Sequence, residues 1–214
     1  MLVPRMYEPA TREQTEAIIT GHPLAVLVTN GSSVPYATHL PVIRQTAGVP
    51  LMGSTLLCHM NRANPHWATL AEAGTSHGKL VFSGPGTYVC PVLYQTEPAA
   101  PTWDFAVVHL SGRIEPLPAG EPTLDVVRRT AATLEGNFGR DWDQTGSIEY
   151  FRSIVAGVGA FRFIVEQVES MFKLSQEKDE GIRQRLIEDF TGSPRNGSAQ
   201  VGDLMAKLGL GTSE

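Results

Sequence analysis

Polar side chains that could bind a ligand or a metal are concentrated where a predicted strand passes into a predicted helix. The apolar run at residues 51–57 predicts a buried strand, and Asn64 followed by Pro65 predicts the N-cap and first residue of a helix. Such a junction presents unpaired backbone N–H groups and a partial positive charge. The side chains placed there are His59, Asn61, Arg62, Asn64 and His66. We therefore treat this corner as the first candidate site.

His59 is the first candidate metal ligand, because a neutral imidazole ligates transition metals. A single histidine after an apolar strand is, however, more often a hydrogen-bonded structural residue. Neighbouring strand residues point to opposite faces, so His59 and Cys58 cannot both face one pocket. Cys58 is expected to be a small buried residue, and the pair lacks the ligand spacing of a structural zinc site.

Arg62 lies beside the predicted helix N-terminus and would suit a carboxylate or a phosphate. Asn61 and Asn64 are explained equally well as turn and cap residues. His66 falls in the first helical turn, where we expect it to face solvent.

Other candidates lie further along the chain. His39 and His109 fall in predicted strands, either facing inward with partners or at a subunit interface. Trp103 follows a proline-rich loop and could stack on a planar ligand, although an exposed rim aromatic is the simpler interpretation. Lys173 and Gln176 follow a late strand and could bind an acidic group, or could simply end the strand in solvent. No serine–histidine–aspartate order, phosphate loop or paired-carboxylate pattern is present.

The composition is that of an ordinary globular protein of 214 residues with a formal charge of −5. No run of lysine and arginine indicates nucleic-acid binding, which we do not expect. No apolar run is long enough for a membrane span and the start lacks the apolar stretch of a signal peptide, so we expect a cytoplasmic protein with no membrane contact. Cys58 and Cys90 are expected to be free thiols. We expect a cofactor domain over residues 1–190 and a linker with a C-terminal helix over 191–214.

The pattern of elements predicts a β-barrel with peripheral helices. Thr11 and Gln14 form a possible capping box before the first helix. Closely spaced strands joined by turns favour antiparallel pairing over βαβ units. The predicted strands cover residues 24–29, 34–43, 51–58, 78–83 with a break at 84–86, 103–114 and 160–168. Predicted helices include residues 64–73, 123–134, 178–190 and 198–208.

Several segments jointly resemble the PaiB-type branch of the flavin-binding split-barrel proteins, which are often described as negative transcriptional regulators. The matching segments are residues 23–31, 37–41, 59–67, 84–85, 101–103, 108–112 and 173–176. The resemblance implies a six-stranded antiparallel split β-barrel, a mainly β fold with peripheral helices. It also implies a homodimer with the cofactor near the subunit interface.

The chain departs from the common PaiB pattern at two positions. Gly86 stands where histidine is common and Cys90 where serine is common, and the loss of these polar groups speaks against flavin binding. This variant is similar to the piperazate synthases, haem-dependent relatives of PaiB. The closer likeness covers residues 59–67, 99–103, 108–112, 157–162 and 171–176.

This resemblance implies a haem b enzyme that converts N5-hydroxy-L-ornithine into L-piperazic acid by forming a nitrogen–nitrogen bond. His59 is our choice for the axial iron ligand, with His39 and His109 as competitors. Arg62 is our choice for the substrate carboxylate or a haem propionate, with Arg44 and Lys173 as competitors. The remaining expected pocket residues are Thr38, Asn61, Trp103 and Gln176.

Two other classes of function stay open. One is a PaiB-like regulator or flavin oxidoreductase that binds FMN. The other is a non-catalytic haem-binding protein. Turnover of N5-hydroxyornithine distinguishes the piperazate synthase from a non-catalytic haem-binding protein. The absorption spectrum of the bound cofactor distinguishes it from an FMN-binding protein.

Overall fold

The computed structural model describes residues 1–9 and 11–210. Its strands are β1 (Leu24–Thr29), β2 (Tyr36–Arg44), β3 (Thr55–Asn61), β4 (Ser76–Val89), β5 (Thr102–Pro116) and β6 (Val158–Lys173). Its α-helices are α1 (Arg12–Gly21), α2 (Pro65–Ala73), α3 (Glu121–Phe138), α4 (Ile148–Ile154), α5 (Glu180–Thr191) and α6 (Ser198–Lys207). The predicted elements are present, but the predicted start of the third strand at residue 51 is wrong: β3 begins at Thr55, because residues 51–54 form a turn closed by the Ser54 N–H donating to the Leu51 carbonyl oxygen at 3.0 Å. The sequence does not predict α4.

The six strands form a closed antiparallel barrel in the order β1-β2-β3-β6-β5-β4. The hairpin of β1 and β2 pairs Leu27 with Thr38, and the pairing of β3 with β6 sets His59 opposite Ala160. The fold class predicted from the sequence is therefore confirmed.

Alternation along the strands separates an inner face from an outer face. Cys58 and Met60 of β3 are buried, whereas His59 between them keeps part of its surface exposed. Burial raises the pKa of the Cys58 thiol, as expected for a core cysteine. Cys58 therefore belongs to the core and His59 to the outer face.

Part of the outer face is covered by α3. Ile43 of β2, Leu57 of β3 and Ala160 of β6 are buried in one apolar cluster with Val126 of α3. His59 comes two residues after Leu57, so it lies on the same face one pleat further along the strand.

Contacts divide the chain into two compact units, each of which contains parts of β4, β5 and β6. The first comprises the described residues within 1–21, 83–108 and 169–214, and so contains α1, α5 and α6. The second comprises residues 22–82 and 109–168, with β1, β2, β3, α2, α3 and α4. The division at residue 190 expected from the sequence stays a prediction.

The predicted strand break at residues 84–86 is wrong, because β4 continues through Gly84, Pro85 and Gly86 to Val89. The physical reason is close approach: a Cβ atom at position 84 would lie 2.9 Å from the Ala106 carbonyl oxygen and 2.9 Å from Cδ1 of Ile18. Glycine here makes room for the neighbouring backbone instead of ending the strand.

None of the helices formed by residues 1–9 and 11–210 combines the length and apolar character that crossing a membrane would require.

Candidate functional site

The turn between β3 and α2 is built as the sequence predicts. The Asn61 side-chain oxygen accepts a hydrogen bond from the Ala63 N–H at 2.8 Å. The Asn64 side-chain oxygen caps α2 by accepting from the His66 N–H at 3.0 Å, and Pro65 is the first helical residue. The predicted N-cap is therefore confirmed, and it fixes where the side chains on either side of it point.

The prediction that His66 faces solvent is wrong, because its exposed fraction is 0%. Nε2 of its ring lies 2.8 Å from Oγ1 of Thr29, and Nδ1 lies 2.9 Å from Oγ1 of Thr38. Tyr36 stacks on the imidazole with ring centroids 5.0 Å apart. Helix α2 directs this first-turn residue toward the ends of β1 and β2, a tertiary contact that helical position alone does not reveal.

The His66 cluster is therefore an anchor and not a free ligand. Burial lowers the pKa of His66 and favours the neutral ring, and both ring nitrogens already have hydroxyl partners. The Asn64 amide also donates to Oγ1 of Thr38 at 3.3 Å, so Thr38 belongs to this cluster.

His59 has the opposite environment. Nδ1 of its ring is buried and has no hydrogen-bond partner among the described residues, while the side chain as a whole is only half-buried. Burial lowers the pKa of His59, so the neutral imidazole dominates at neutral pH. A neutral imidazole is the form of histidine that ligates a metal, and the His59 ring keeps part of its surface exposed.

Other predicted residues lie in the same compact unit as His59. His39 is exposed on β2, and Asn61 lies two residues after His59 on the same outer face of β3. His109 is half-buried in β5.

Arg62 is exposed and lines a cleft of about 550 Å³. Its backbone N–H is fixed by a hydrogen bond to the Gly157 carbonyl oxygen at 2.9 Å. The cleft walls include Trp67, Glu115, Leu117, Thr123 and Val158. Among the residues that the structure describes, no partner is seen for the Arg62 guanidinium, so it can bind an anionic group.

The predicted residues near the end of β6 lie in the other compact unit. Lys173 donates a hydrogen bond from Nζ to Oγ1 of Thr102. The Gln176 side chain folds back on its own turn, accepting from the Leu174 N–H at 2.7 Å and donating to the Phe172 carbonyl oxygen. Gln176 thus shapes the turn, whereas Lys173 presents a half-buried cation.

Trp103 is 54% exposed, as a rim aromatic would be. Its ring centroid lies 6.3 Å from that of Tyr88. A Cβ atom at Gly86 would lie 2.9 Å from Nε1 of Trp103, so a larger residue there requires the indole to move. The Gly86 carbonyl oxygen would in turn lie 2.5 Å from a Cβ atom at Gly197.

Asp104 is a buried acidic residue that the sequence interpretation missed. Its exposed fraction is 0%, and Oδ2 accepts a hydrogen bond from Oγ of Ser175 at 2.7 Å. Oδ1 is buried without a partner among the described residues. The signal was available in the sequence, because the alternation of β5 puts Asp104 on the same face as the apolar residues Ala106 and Val108.

The structure thus brings Thr38, His39, His59, Asn61, Arg62 and His109 into one unit and Trp103, Lys173 and Gln176 into the other. In the described part of the chain, no group of three or more histidine, cysteine or acidic residues could hold a metal ion by itself.

Comparison with known proteins places this geometry in a family. The chain is 25% identical over 211 residues to "Protease synthase and sporulation protein PAI 2" of Bacillus subtilis, with 96% of both chains covered. The fold matches the flavocytochrome Anf3 of Azotobacter vinelandii with a TM-score of 0.52, at 17% identity over 77% of this chain and 68% of that one. It also matches an FAD- and haem-binding protein of Mycobacterium smegmatis with a TM-score of 0.52, at 15% identity over 77% and 72%.

The family model described as "Putative FMN-binding domain" matches residues 1–167, which include all six strands except the end of β6. That match and the PAI 2 relative agree with the resemblance seen in the sequence motifs. The chain belongs to the FMN-binding-domain family of split-barrel proteins.

Proposed function

We propose that the protein is a haem-dependent piperazate synthase, which forms the nitrogen–nitrogen bond of L-piperazic acid from N5-hydroxy-L-ornithine. The observation that carries the proposal is the state of His59. It is a neutral, half-buried imidazole on the outer barrel face whose Nδ1 has no partner among the described residues. Structural histidines in a protein interior normally have both polar atoms satisfied, as His66 does.

The residues around His59 fit haem b. The ligand that the iron takes is a neutral imidazole, and the lowered pKa of His59 favours that form. Arg62 supplies a cation without a partner in the described residues, suited to a haem propionate or a substrate carboxylate. A protein with this fold is named for binding both FAD and haem, so the fold itself accommodates either cofactor.

Gly86 speaks against FMN in this chain, because the polar side chain of the common PaiB pattern is missing there. The common PaiB pattern has histidine at this position. A Cβ atom added at Gly86 would lie only 2.9 Å from Nε1 of Trp103. The packing of Trp103 against Gly86 is thus adapted to the absence of that histidine.

The reaction is a cyclisation that balances without an external oxidant or reductant. The α-nitrogen bonds to the N5 nitrogen and loses one proton, the N5–oxygen bond breaks, and the hydroxyl oxygen gains one proton and leaves as water, so protons and electrons balance. When bound, haem iron supplies a Lewis acid that weakens the nitrogen–oxygen bond.

The chain's own residues hold the reactants. His59 would hold the iron through its imidazole, and Arg62, which lines the cleft described above, would bind the substrate carboxylate or a propionate. Lys173, which belongs to the other compact unit, presents a separate cation that would suit an acidic group. Holding the flexible ornithine chain folded brings its two nitrogens together, and this positioning supplies a large part of the rate in intramolecular reactions.

A second candidate function is that of an FMN-dependent regulator or oxidoreductase. It is supported by the match of residues 1–167 to the FMN-binding-domain model. In that case His59 has no ligand role, and the cofactor's absorption would not depend on it.

The deciding experiment is the absorption spectrum of protein produced with a haem supply, compared with His59→Ala. We expect an intense Soret band that is lost or shifted in His59→Ala, because the axial ligand is removed. His77→Ala is the control, at a histidine whose side chain is 69% exposed, and it should keep the wild-type spectrum. Haem-loaded wild-type protein should then convert N5-hydroxy-L-ornithine to piperazic acid.

Three results would contradict parts of this proposal. A flavin spectrum indifferent to His59 would return the chain to the second candidate. A Soret band unchanged in His59→Ala would keep haem and overturn the ligand. A normal Soret band with no turnover would leave a non-catalytic haem protein.

A further inference from the structure

The turn that follows β6 has an unfavourable backbone conformation at one residue. Ser175 has φ 58°, in the left-handed region, and its exposed fraction is 0%. For a residue other than glycine this conformation is unfavourable, because the Cβ atom comes too close to the following carbonyl oxygen. Contacts from the surrounding structure must therefore hold Ser175 in place.

Two side chains of β5, two residues apart, accept hydrogen bonds from two residues at the end of β6 and in the turn after it, which are also two apart. Thr102 accepts a hydrogen bond from Nζ of Lys173. Asp104, two residues further, accepts from Oγ of Ser175 at 2.7 Å. Residues two apart on a strand share a face, so one face of β5 holds both Lys173 and the residue two positions after it.

We propose that Asp104 is a positioning residue, which holds Ser175 in its left-handed conformation and thereby fixes the direction of the Lys173 ammonium group. The Asp104–Ser175 hydrogen bond is the link, and an acidic group of a ligand is what Lys173 is oriented to receive. The role of Lys173 rests on the proposed function, whereas the link between Asp104 and the turn does not.

The link depends on the charge of Asp104. Burial raises the pKa of Asp104 to about 6, against the lowering effects of the Ser175 hydrogen bond and of Lys173. The charged and titratable groups that face Asp104 are Lys173, Glu177, Tyr94 and Tyr7. An ionised carboxylate accepts a stronger hydrogen bond than a neutral acid, so the link weakens as the pH falls through about 6.

The Asp104 site also contains unused hydrogen-bonding capacity. Oδ1 of Asp104 and the hydroxyl of Tyr94 are both buried without a partner among the described residues. The Asp104 charge raises the pKa of Tyr94 further, after the larger effect of burial. No other side chain in the described part of the protein donates a hydrogen bond to Asp104 when the Ser175 hydroxyl bond weakens, so the turn responds to the state of Asp104.

The test is amide NMR of the full ¹⁵N-labelled chain, with ¹³C detection of side-chain carboxyl groups, followed across the pH range. Neither cofactor nor substrate is needed, so failure here is distinct from failure of the proposed function. In wild-type protein we expect the amide signals of residues 173–176 to shift with a midpoint near 6, together with the Asp104 carboxyl signal.

Two variants separate the link from a general structural role. In Asp104→Asn the shift of the turn signals should be lost, because the amide accepts from Ser175 at every pH. In Ser175→Gly the left-handed backbone is retained at low cost, and the Asp104 carboxyl should titrate at a higher pH because the hydrogen bond that favours its charge is gone. Asp203→Asn, which changes an exposed carboxylate in α6, should behave as wild type.

The proposal is overturned if the turn signals titrate in Asp104→Asn as they do in wild-type protein. It is also overturned if the Asp104 carboxyl titrates at the same pH in Ser175→Gly and in wild-type protein. A merely structural role for Asp104 would alter stability but would not couple the Asp104 titration to Ser175.

Discussion

The His66 cluster and the Asp104 site each bury a titratable side chain completely, and they differ in how that side chain is satisfied. His66 has a hydroxyl at each ring nitrogen and an aromatic ring stacked on it. Asp104 has one hydrogen bond on one oxygen and none on the other within the described chain. A fully satisfied buried group stabilises the fold, while a partly satisfied one costs stability and stays responsive to pH or ligands.

The two sites should therefore respond to pH in opposite directions. The pKa of His66 is lowered in the folded state, so its contribution is present above the ordinary value of 6.5 and is lost as the pH falls. The pKa of Asp104 is raised from 3.8 to about 6, so its contribution is present below 3.8 and is lost as the pH rises through 6.

The largest expected effect is that of His66→Ala. Removing this ring leaves the hydroxyls of Thr29 and Thr38 without their partner and opens a cavity beside Tyr36. We expect a loss of about 3 kcal/mol in the free energy of unfolding. Urea denaturation measures it, and His77→Ala, at a histidine whose side chain is 69% exposed, is the control. If His66→Ala and His77→Ala lowered the free energy of unfolding equally, the hydrogen bonds of the buried His66 would not be what stabilises the fold.

The next effect is that of Asp104→Asn, with the opposite sign. At pH 7.5 the variant avoids ionising a buried carboxyl, so it should unfold less readily than wild type, by at most about 3 kcal/mol for a shift of about two pKa units. The difference in stability should shrink toward zero near pH 4, because there the Asp104 carboxyl of the wild-type protein is more protonated in both the folded and the unfolded state. Denaturation midpoints at the two pH values measure it, with Asp203→Asn as control. A variant less stable than wild type at both pH values would contradict the assignment.

The smallest effect is that of Thr29→Val, which removes one hydroxyl at nearly constant volume. Nε2 of His66 then loses its partner, and we expect a loss of about 1 kcal/mol. If denaturation shows no loss, the His66 cluster is less dependent on full satisfaction than its geometry indicates.

Local signals explain which parts of the fold the sequence predicted. Thr11 and Gln14 form the reciprocal capping box, with the Thr11 N–H donating to Oε1 of Gln14 at 3.2 Å. Asn64 and Pro65 start α2 as their types require. Strand alternation and short turns were sufficient for the barrel.

Tertiary contacts explain what the sequence did not reveal. The sequence predicts an exposed His66, because a first-turn residue faces solvent unless its helix docks on another element there. The glycines at 84 and 86 predict a strand break, although in the structure they make room for a neighbouring backbone and an indole. The sequence shows which residue types lie near His59. It does not show whether a ring nitrogen of a histidine already has a hydrogen-bond partner, because such partners are distant in sequence.

Because Cys58 lies in the core, the two thiols differ in their reactivity. Its raised pKa and complete burial make it unreactive toward alkylating reagents, whereas Cys90 is partly exposed. A maleimide dye should therefore attach at one position of the native chain, four residues before Tyr94. Unmodified protein thus carries its own labelling position for fluorescence, close in sequence to the aromatic residue that senses the Asp104 charge.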